Sequence, residues 1–494
     1  MNFQKIRTVY QCEIRLLSPV HVGSGKKYVN NFDFFCEGKT IKVFDHKRLF
    51  ALVEKLGGSR IESFAAAVEE KQLSRWLREN SININEAVVH SFSWSDHTEA
   101  KDIIRHLRNG FGLPIIPGSS LKGIFRTAII SFLAGNDSTD LLKRALTRLK
   151  RERPNIKFAD SALCKEVLGQ DAKTNLMRSL TVADFTFVPE DLQIQTACVT
   201  RLTSKNRMTR KGWNILIEKL NQNATSSSQV SFDDFLIAQS KGKQSFNFRA
   251  YLTLPWLLEA LRERTEKHLN SEQSFLSAKN GDYVDSMKRF YENLAQDHKN
   301  LQENEAIMQF AWGCGWKGMT GELIDQSALT PEIRNILKLA PEHSSFPFPK
   351  SRRVAVTGTE AIPMGWIRLR FTSKEEFRQA QAIKLQKEKD DQNRRDEEKQ
   401  RQKNEQRIWA SMSEIDRFVA IIHGDDIARS QAGTQDPLAE CWKRIDTVSP
   451  DDQKKLATAF REVWEPDPKK WIRKQCSKKQ WEKVKKIRSI LGEA

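Results

Sequence analysis

No two of the seven cysteines lie close together: Cys12, Cys36, Cys164, Cys198, Cys314, Cys441 and Cys476 are scattered through 494 residues. That spacing suits neither a disulfide framework nor a zinc site, so a reduced compartment and no bound metal are expected. Also missing is any apolar run near the roughly 18–20 residues that a membrane span needs. The amino terminus, MNFQKIRTVYQCEIRLL, lacks the charged-then-apolar layout of a signal peptide and already alternates like a strand. A cytoplasmic protein with no membrane partner is therefore expected. No repeat of fixed period occurs. A nucleotide-hydrolase phosphate loop needs Gly-x-x-x-x-Gly-Lys followed by Ser or Thr, whereas here Gly118-Ser-Ser-Leu-Lys122-Gly123 runs into Ile124. No Ser-His-Asp or Cys-His arrangement is visible in the chain order, and no cofactor is implied.

Positive charge is what the sequence has in excess. It carries 81 Lys and Arg against 63 Asp and Glu, a formal net charge of +18, with 39% hydrophobic residues. A globular chain so unbalanced implies an anionic partner, and nucleic acid is the commonest.

Strands and helices mix without a regular alternation, which predicts an α+β fold. Tyr10, Cys12, Ile14 and Leu16 alternate with Gln11, Glu13 and Arg15 as a half-buried strand. Residues 32–36 and 40–45 read as two more strands, and helical periodicity runs from Lys47 to about Leu107. Ile115 and Ile116 end a strand, and Ser119 or Ser120 stands where it would cap a helix reaching Leu133. Strand character returns at 179–189, 244–254 and 365–371, and helices are expected at 255–269 and 287–296. Residues 1–373 form the main module on this reading. Residues 374–407 carry both charge signs densely with almost no apolar stripe, as a solvated single helix or a linker would. Residues 408–494 regain apolar positions and read as a helical extension, ending in a basic tryptophan-containing helix at 469–491.

Five stretches place cations beside glycine turns or aromatics. SPVHVGSGKKYVNN holds His21, Gly23, Ser24, Gly25, Lys26 and Lys27. LPIIPGSSLKGIFRTA opens a helix with Gly118, Ser119, Ser120, Lys122 and Arg126, and unpaired amides at such a start attract phosphate. VTRLTSKNRMTRKGW reads as a mobile segment with Arg201, Lys205, Arg207, Arg210 and Lys211. WGCGWKGMTG combines Gly313, Gly315 and Lys317 with Trp312 and Trp316, and PFPKSRRVAVTG supplies Lys350, Arg352 and Arg353. Together they suit a groove for single-stranded nucleic acid better than a small-molecule pocket.

With LLSPVHVGSGKKY, IPGSSLKGIFRTA, SLTVADF, WGCGWKG and PKSRRVAVTGTEAIPMGWIRL in view, the chain resembles the RAMP superfamily of CRISPR RNA-binding proteins. Within it, the chain is similar to the subunit-five group of type III-A (Csm) effector complexes over residues 8–371. The resemblance implies a ferredoxin-like (RRM-like) core with helical insertions. It also implies a subunit that caps the 3′ part of crRNA, supports crRNA maturation in antiviral defence and is not itself an enzyme. Implied partners are crRNA, other Csm-type subunits, above all the adjacent backbone subunit, and recruited host nucleases. By motif position, RNA contact carries over to His21, Gly23, Ser24, Gly25 and Lys26, then to Ser119, Ser120, Lys122 and Arg126, and to Gly313, Gly315 and Lys317. The alternative is an endoribonuclease of the same superfamily. His21 would be its proton-transfer group, as in RAMP processing enzymes, or Asp33 its target-cleaving aspartate, as in backbone subunits; Asp33 inside NNFDFFC and Asp184 in VADF otherwise read as structural. The extension falls outside the family pattern; its basic end would recruit another protein, extend the RNA track, or stand simply as a solvated amphipathic helix.

Overall fold

Cys12, Ile14 and Leu16 are fully buried while Glu13 and Arg15 are exposed, so the first strand, Thr8–Leu16, presents one face to the core. In the computed structural model this strand is central to a five-stranded sheet. The order across it is Glu305–Gln309, Trp366–Ser373, Thr8–Leu16, Thr225–Phe232 and Leu180–Val182, every pairing antiparallel. The structure describes residues 6–93, 102–134, 138–152, 154–155, 158–169, 171–173, 175–212, 214–239, 252–319, 323, 330–339, 349–425, 428–429 and 436–493.

Helices Gly118–Ala134 and Leu254–Ser277 pack together and supply Leu121, Phe125, Ile129, Leu257 and Leu261 to the core that this sheet covers. A second, eight-stranded sheet is built around the long strand Leu192–Leu202. That strand pairs with Ile215–Leu220 in its first half, and with Arg207–Arg210 and Ser351–Thr357 in its second. Beyond Ile215–Leu220 lie Asp102–His106 and then Gly23–Val29.

Three expectations change. The helical stretch expected to reach Leu107 ends at Glu79; Val88–Ser93 and Asp102–His106 are strands, drawn into sheets by pairing with Thr40–Phe44 and Gly23–Val29. The segment read as mobile is a hairpin, Leu192–Leu202 returning as Arg207–Arg210 through a tight turn with Asn206 at φ 57°. The basic stretch 469–491 is two helices, Pro468–Trp471 and Lys478–Leu491. The strand expected at 244–254 lies mostly outside the described residues; its end, Leu254, starts a helix capped by Thr253.

The chain divides into two compact units, Met1–Arg378 and Gln379–Ala494. A helix runs from Lys374 to Ser411. The second unit has its own core, in which Ile422, Cys441, Leu456, Phe460, Val484 and Ile487 are buried. Among the described residues no helix is long and apolar enough to cross a membrane.

Candidate nucleic-acid interface

The helix that opens at Gly118 is fixed by backbone contact. A Cβ there would sit 2.1 Å from the Val182 carbonyl oxygen, so only glycine lets the two segments approach. The first amide, Gly118 N, donates to Asp184 Oδ1 at 2.8 Å. Ser119 and Ser120 lie inside the helix rather than capping it, and the cap comes from the neighbouring strand segment instead. The Asp184 carboxylate thus satisfies the first amide of the helix. Ser119 is exposed, while Ser120, Lys122 and Arg126 are half-buried. Burial pulls the Lys122 ammonium below its ordinary value.

Gly23–Gly25 lies in a bulge of the strand Gly23–Val29 rather than in a turn between strands; its register with Asp102–His106 shifts between Gly23 and Lys27, and Gly25 has φ 76°. Ser24 Oγ donates to the Arg105 carbonyl at 3.0 Å and accepts from Lys26 N at 3.3 Å, which holds the bulge open with Lys26 exposed. Lys27 pairs with Asp102 at 3.2 Å. His21 departs from expectation. It is 0% exposed and its Nδ1 donates to the Glu218 carbonyl at 2.5 Å. Among the described residues Nε2 has no hydrogen-bond partner; it lies 3.4 Å from where a Gly23 Cβ would be. Burial lowers its pKa, which favours the neutral ring, and no part of the residue is exposed.

Behind His21 stands a buried polar cluster that the sequence reading missed. Arg108 grips Glu218 through two bonds of 2.9 and 2.7 Å, and Glu218 Oε2 also accepts from His106 N at 2.8 Å. His106 accepts from Val22 N at 3.2 Å and donates Nε2–H to the Ile115 carbonyl at 3.1 Å, and burial lowers its pKa to about 3. The cluster ties the Gly23 bulge to the strand leading into Gly118.

Three of the five stretches meet around one cleft of ≈ 310 Å³, lined by Lys211, Gly313, Gly315, Trp316, Lys317 and Arg353 among others. Trp312 is its edge. Its backbone N–H donates to the His21 carbonyl at 3.1 Å, His21 packs edge-on at 5.7 Å, and the Arg353 guanidinium lies 4.8 Å over the indole. Gly313 and Gly315, at φ 108° and 60°, take the backbone through conformations that side chains resist. Arg201, Lys205 and Arg207 are exposed along the hairpin, whereas Arg210 bonds Tyr283 Oη at 3.0 Å and also Asn214.

The floor of the cleft corrects two more expectations. Arg352 donates to Glu272 through Nε and Nη2 at 2.7 and 2.9 Å, and Lys317 lies 3.4 Å from the same carboxylate. Both side chains are only 12% exposed, so their charge is spent on Glu272 rather than presented to a ligand. Burial would raise the Glu272 carboxyl, but Arg352, helped by Lys317, pulls it down to about 2. Burial takes His268 to about 3 and pushes the Tyr291 hydroxyl far up. One signal was in the sequence: Leu261, Thr265, His268, Glu272 and Leu276 share the buried face of one helix, an acid where an apolar residue belongs.

Asp33 lies in a turn, not a strand, where Oδ2 accepts from Val29 N at 2.7 Å and Oδ1 bonds His46 Nε2 at 2.9 Å. Among the described residues no group of three or more His, Cys, Asp or Glu is placed to hold a metal ion.

A glycine-turned, cation-rimmed cleft on an α+β scaffold is the class of site these elements define. The RAMP superfamily model matches residues 13–301, and the chain belongs to that family. It is 28% identical over 136 residues to the CRISPR system protein Csm5 of Streptococcus thermophilus, a match spanning 25% of this chain and 38% of that relative. The fold is shared with a chain in the cryo-EM structure of a Csm–crRNA–target RNA ternary complex of a type III-A CRISPR-Cas system (TM-score 0.56, 20% identity, 73% of this chain and 100% of that one). It is shared equally with the crystal structure of T. onnurineus Csm5 (TM-score 0.53, 19% identity, 72% and 99%). The chain is a Csm5-like RAMP protein.

Proposed function

We propose that this chain is an RNA-binding subunit of a type III-A CRISPR effector complex, gripping the 3′ part of crRNA by its backbone and supporting maturation without cutting RNA. The observation that carries the reading is the cleft beside Trp312, where Arg353 and Lys211 meet glycine backbone. Cations and an aromatic face beside open backbone hold phosphate and base without reading sequence. The five-stranded sheet with its two packed helices is, on this reading, a ferredoxin-like core carrying insertions. The second unit is an addition to it. Partners are crRNA and neighbouring Csm-type subunits, the backbone subunit first, with recruited nucleases acting on the RNA. A non-catalytic role is supported by the burial of His21 and by the engagement of Asp33 with His46.

End-labelled repeat RNA incubated with the purified protein, in magnesium or EDTA, tests this together with anisotropy titrations. Intact, bound RNA in both lanes is expected, with log–log salt slope of about −0.7 per phosphate neutralised. The double variant Arg353→Glu, Lys26→Glu should bind at least about tenfold more weakly at unchanged melting temperature, since each base–aromatic or phosphate contact is worth roughly 1–3 kcal/mol. Cleavage lost in His21→Ala or Asp33→Ala would replace the reading with that of an endoribonuclease.

A further inference from the structure

Charge in the second unit is sorted to one end. Residues 379–468 carry 16 Lys and Arg against 19 Asp and Glu, yet Lys469–Arg488 carries ten cations and a single acid, Glu482. Part of that charge is built into the module: Lys483 lies 5.1 Å over Trp442, and Arg488 lies 5.4 Å over Trp471 and 5.7 Å over Trp481. Lys470, Lys485 and Lys486 pair with Asp467, Glu482 and Asp446. The remaining cations are Lys469, Arg473, Lys474, Lys478 and Lys479. All are exposed, and none has an acidic side chain within ion-pair distance among the described residues.

Their placement goes against the unit's own electrostatics. Helices Glu414–His423 and Pro450–Trp464 open with acids in the first turn, as the helix dipole favours. Lys478–Leu491 opens with Lys478 and Lys479 instead, and the segment Ile472–Ser477 ahead of it adds Arg473 and Lys474. Like charges crowded there repel each other and the dipole; an anion lying across them relieves both.

We propose that this face is a second RNA contact, a phosphate track formed by Lys469, Arg473, Lys474, Lys478 and Lys479. A protein partner is disfavoured by the chemistry of the patch. Interfaces anchor on apolar or aromatic side chains, and among the described residues only Ile472 is exposed here; Trp471 is buried, and Val484 and Ile487 face the core. A membrane surface is disfavoured for the same reason, since the basic helix has no free apolar face to insert. With no exposed ring to stack on, the track holds backbone and is indifferent to sequence. That the strand is RNA rests on the function proposed above; the phosphate chemistry does not.

The test uses the full chain and single-stranded RNA of mixed sequence, about 15 and about 45 nucleotides long, to be set against the roughly 4–16 nucleotides that one small binding module covers. The variant Arg473→Glu, Lys474→Glu, Lys478→Glu, Lys479→Glu should bind the long RNA about tenfold or more weakly. Its salt slope should become shallower by about 2–3, one step of ~0.7 for each phosphate that is no longer neutralised. The swap Lys474→Arg, Lys478→Arg, Lys479→Arg should bind as wild type, and circular dichroism checks that both variants fold. A folded reversal variant with unchanged affinity and slope overturns the proposal. So does one that keeps its RNA affinity but loses a copurifying protein. If Arg353→Glu, Lys26→Glu leaves affinity intact while the tail reversal abolishes it, the first-unit reading fails and this one stands.

Discussion

Glu272 sits beneath the cleft as the counter-charge for two cations, and the balance there is set by burial. Replacing it with glutamine keeps the shape but leaves Arg352 and Lys317 without a carboxylate in a nearly dry site. Breaking such a pair from one side costs about 3–5 kcal/mol, because a charge is left buried and unpaired. Glu272→Gln is therefore expected to lower the unfolding free energy of the first unit by an amount of that order, read as a lower urea midpoint at unchanged slope. A second expectation concerns protons. His106 and His268 are held neutral, each with a pKa near 3, whereas the unfolded rings titrate at 6.5. A depressed value of this kind gives stability that is complete above pH 6.5 and is lost as the pH falls toward 3. The loss reaches about 1.4 kcal/mol per pH unit for each ring. Glu272, lowered from 4.5 to about 2, adds to it at the acid end. Denaturation midpoints at pH 7, 6, 5 and 4 should decline steadily in the wild type and more shallowly in His268→Gln; parallel curves would show that this ring is not the one titrating.

At the scale of elements, the junction between strand Ile115–Ile116 and helix Gly118–Ala134 leaves no room for a side chain. Gly118→Ala pushes a methyl into the Val182 carbonyl, so the helix start must shift away from Asp184. Overpacking of this sort costs about 1–3 kcal/mol, read as a lower melting temperature. The junction also marks what a sequence discloses. The PGSS turn and the apolar run after it place the strand and the helix. The serines look like the cap because short hydroxyl side chains commonly are, but the cap is Asp184, 66 positions away. The strands at Val88–Ser93 and Asp102–His106 escaped for a related reason. Each is short, and each is fixed by its pairing partner rather than by its own period. By contrast Leu254–Ser277 and Val284–Lys299 carry enough periodic positions for their central parts, 255–269 and 287–296, to be read from the sequence. The glycine-rich stretches were legible as chemistry one by one. That three of the cation-bearing stretches share a cleft, and that Lys317 and Arg352 serve Glu272, depends on distant residues with no pattern along the chain.

At the scale of the molecule, two units with separate cores should unfold separately. A chain ending at Arg378 is expected to keep one cooperative melting transition, and the full chain to add a second from the core around Phe460 and Ile487. Calorimetry decides this; a single transition that disappears on truncation would mean that the first unit depends on the rest. The central strand of the five-stranded sheet adds a constraint in time. Thr8–Leu16 is made well before either of its neighbours, Thr225–Phe232 and Trp366–Ser373. For most of the first unit's synthesis, a strand with a fully apolar face has neither partner to pair with. Such long-range closure is slow and exposes an edge meanwhile. The nascent chain, rather than the finished protein, is where this fold is most open to aggregation and most in need of a chaperone.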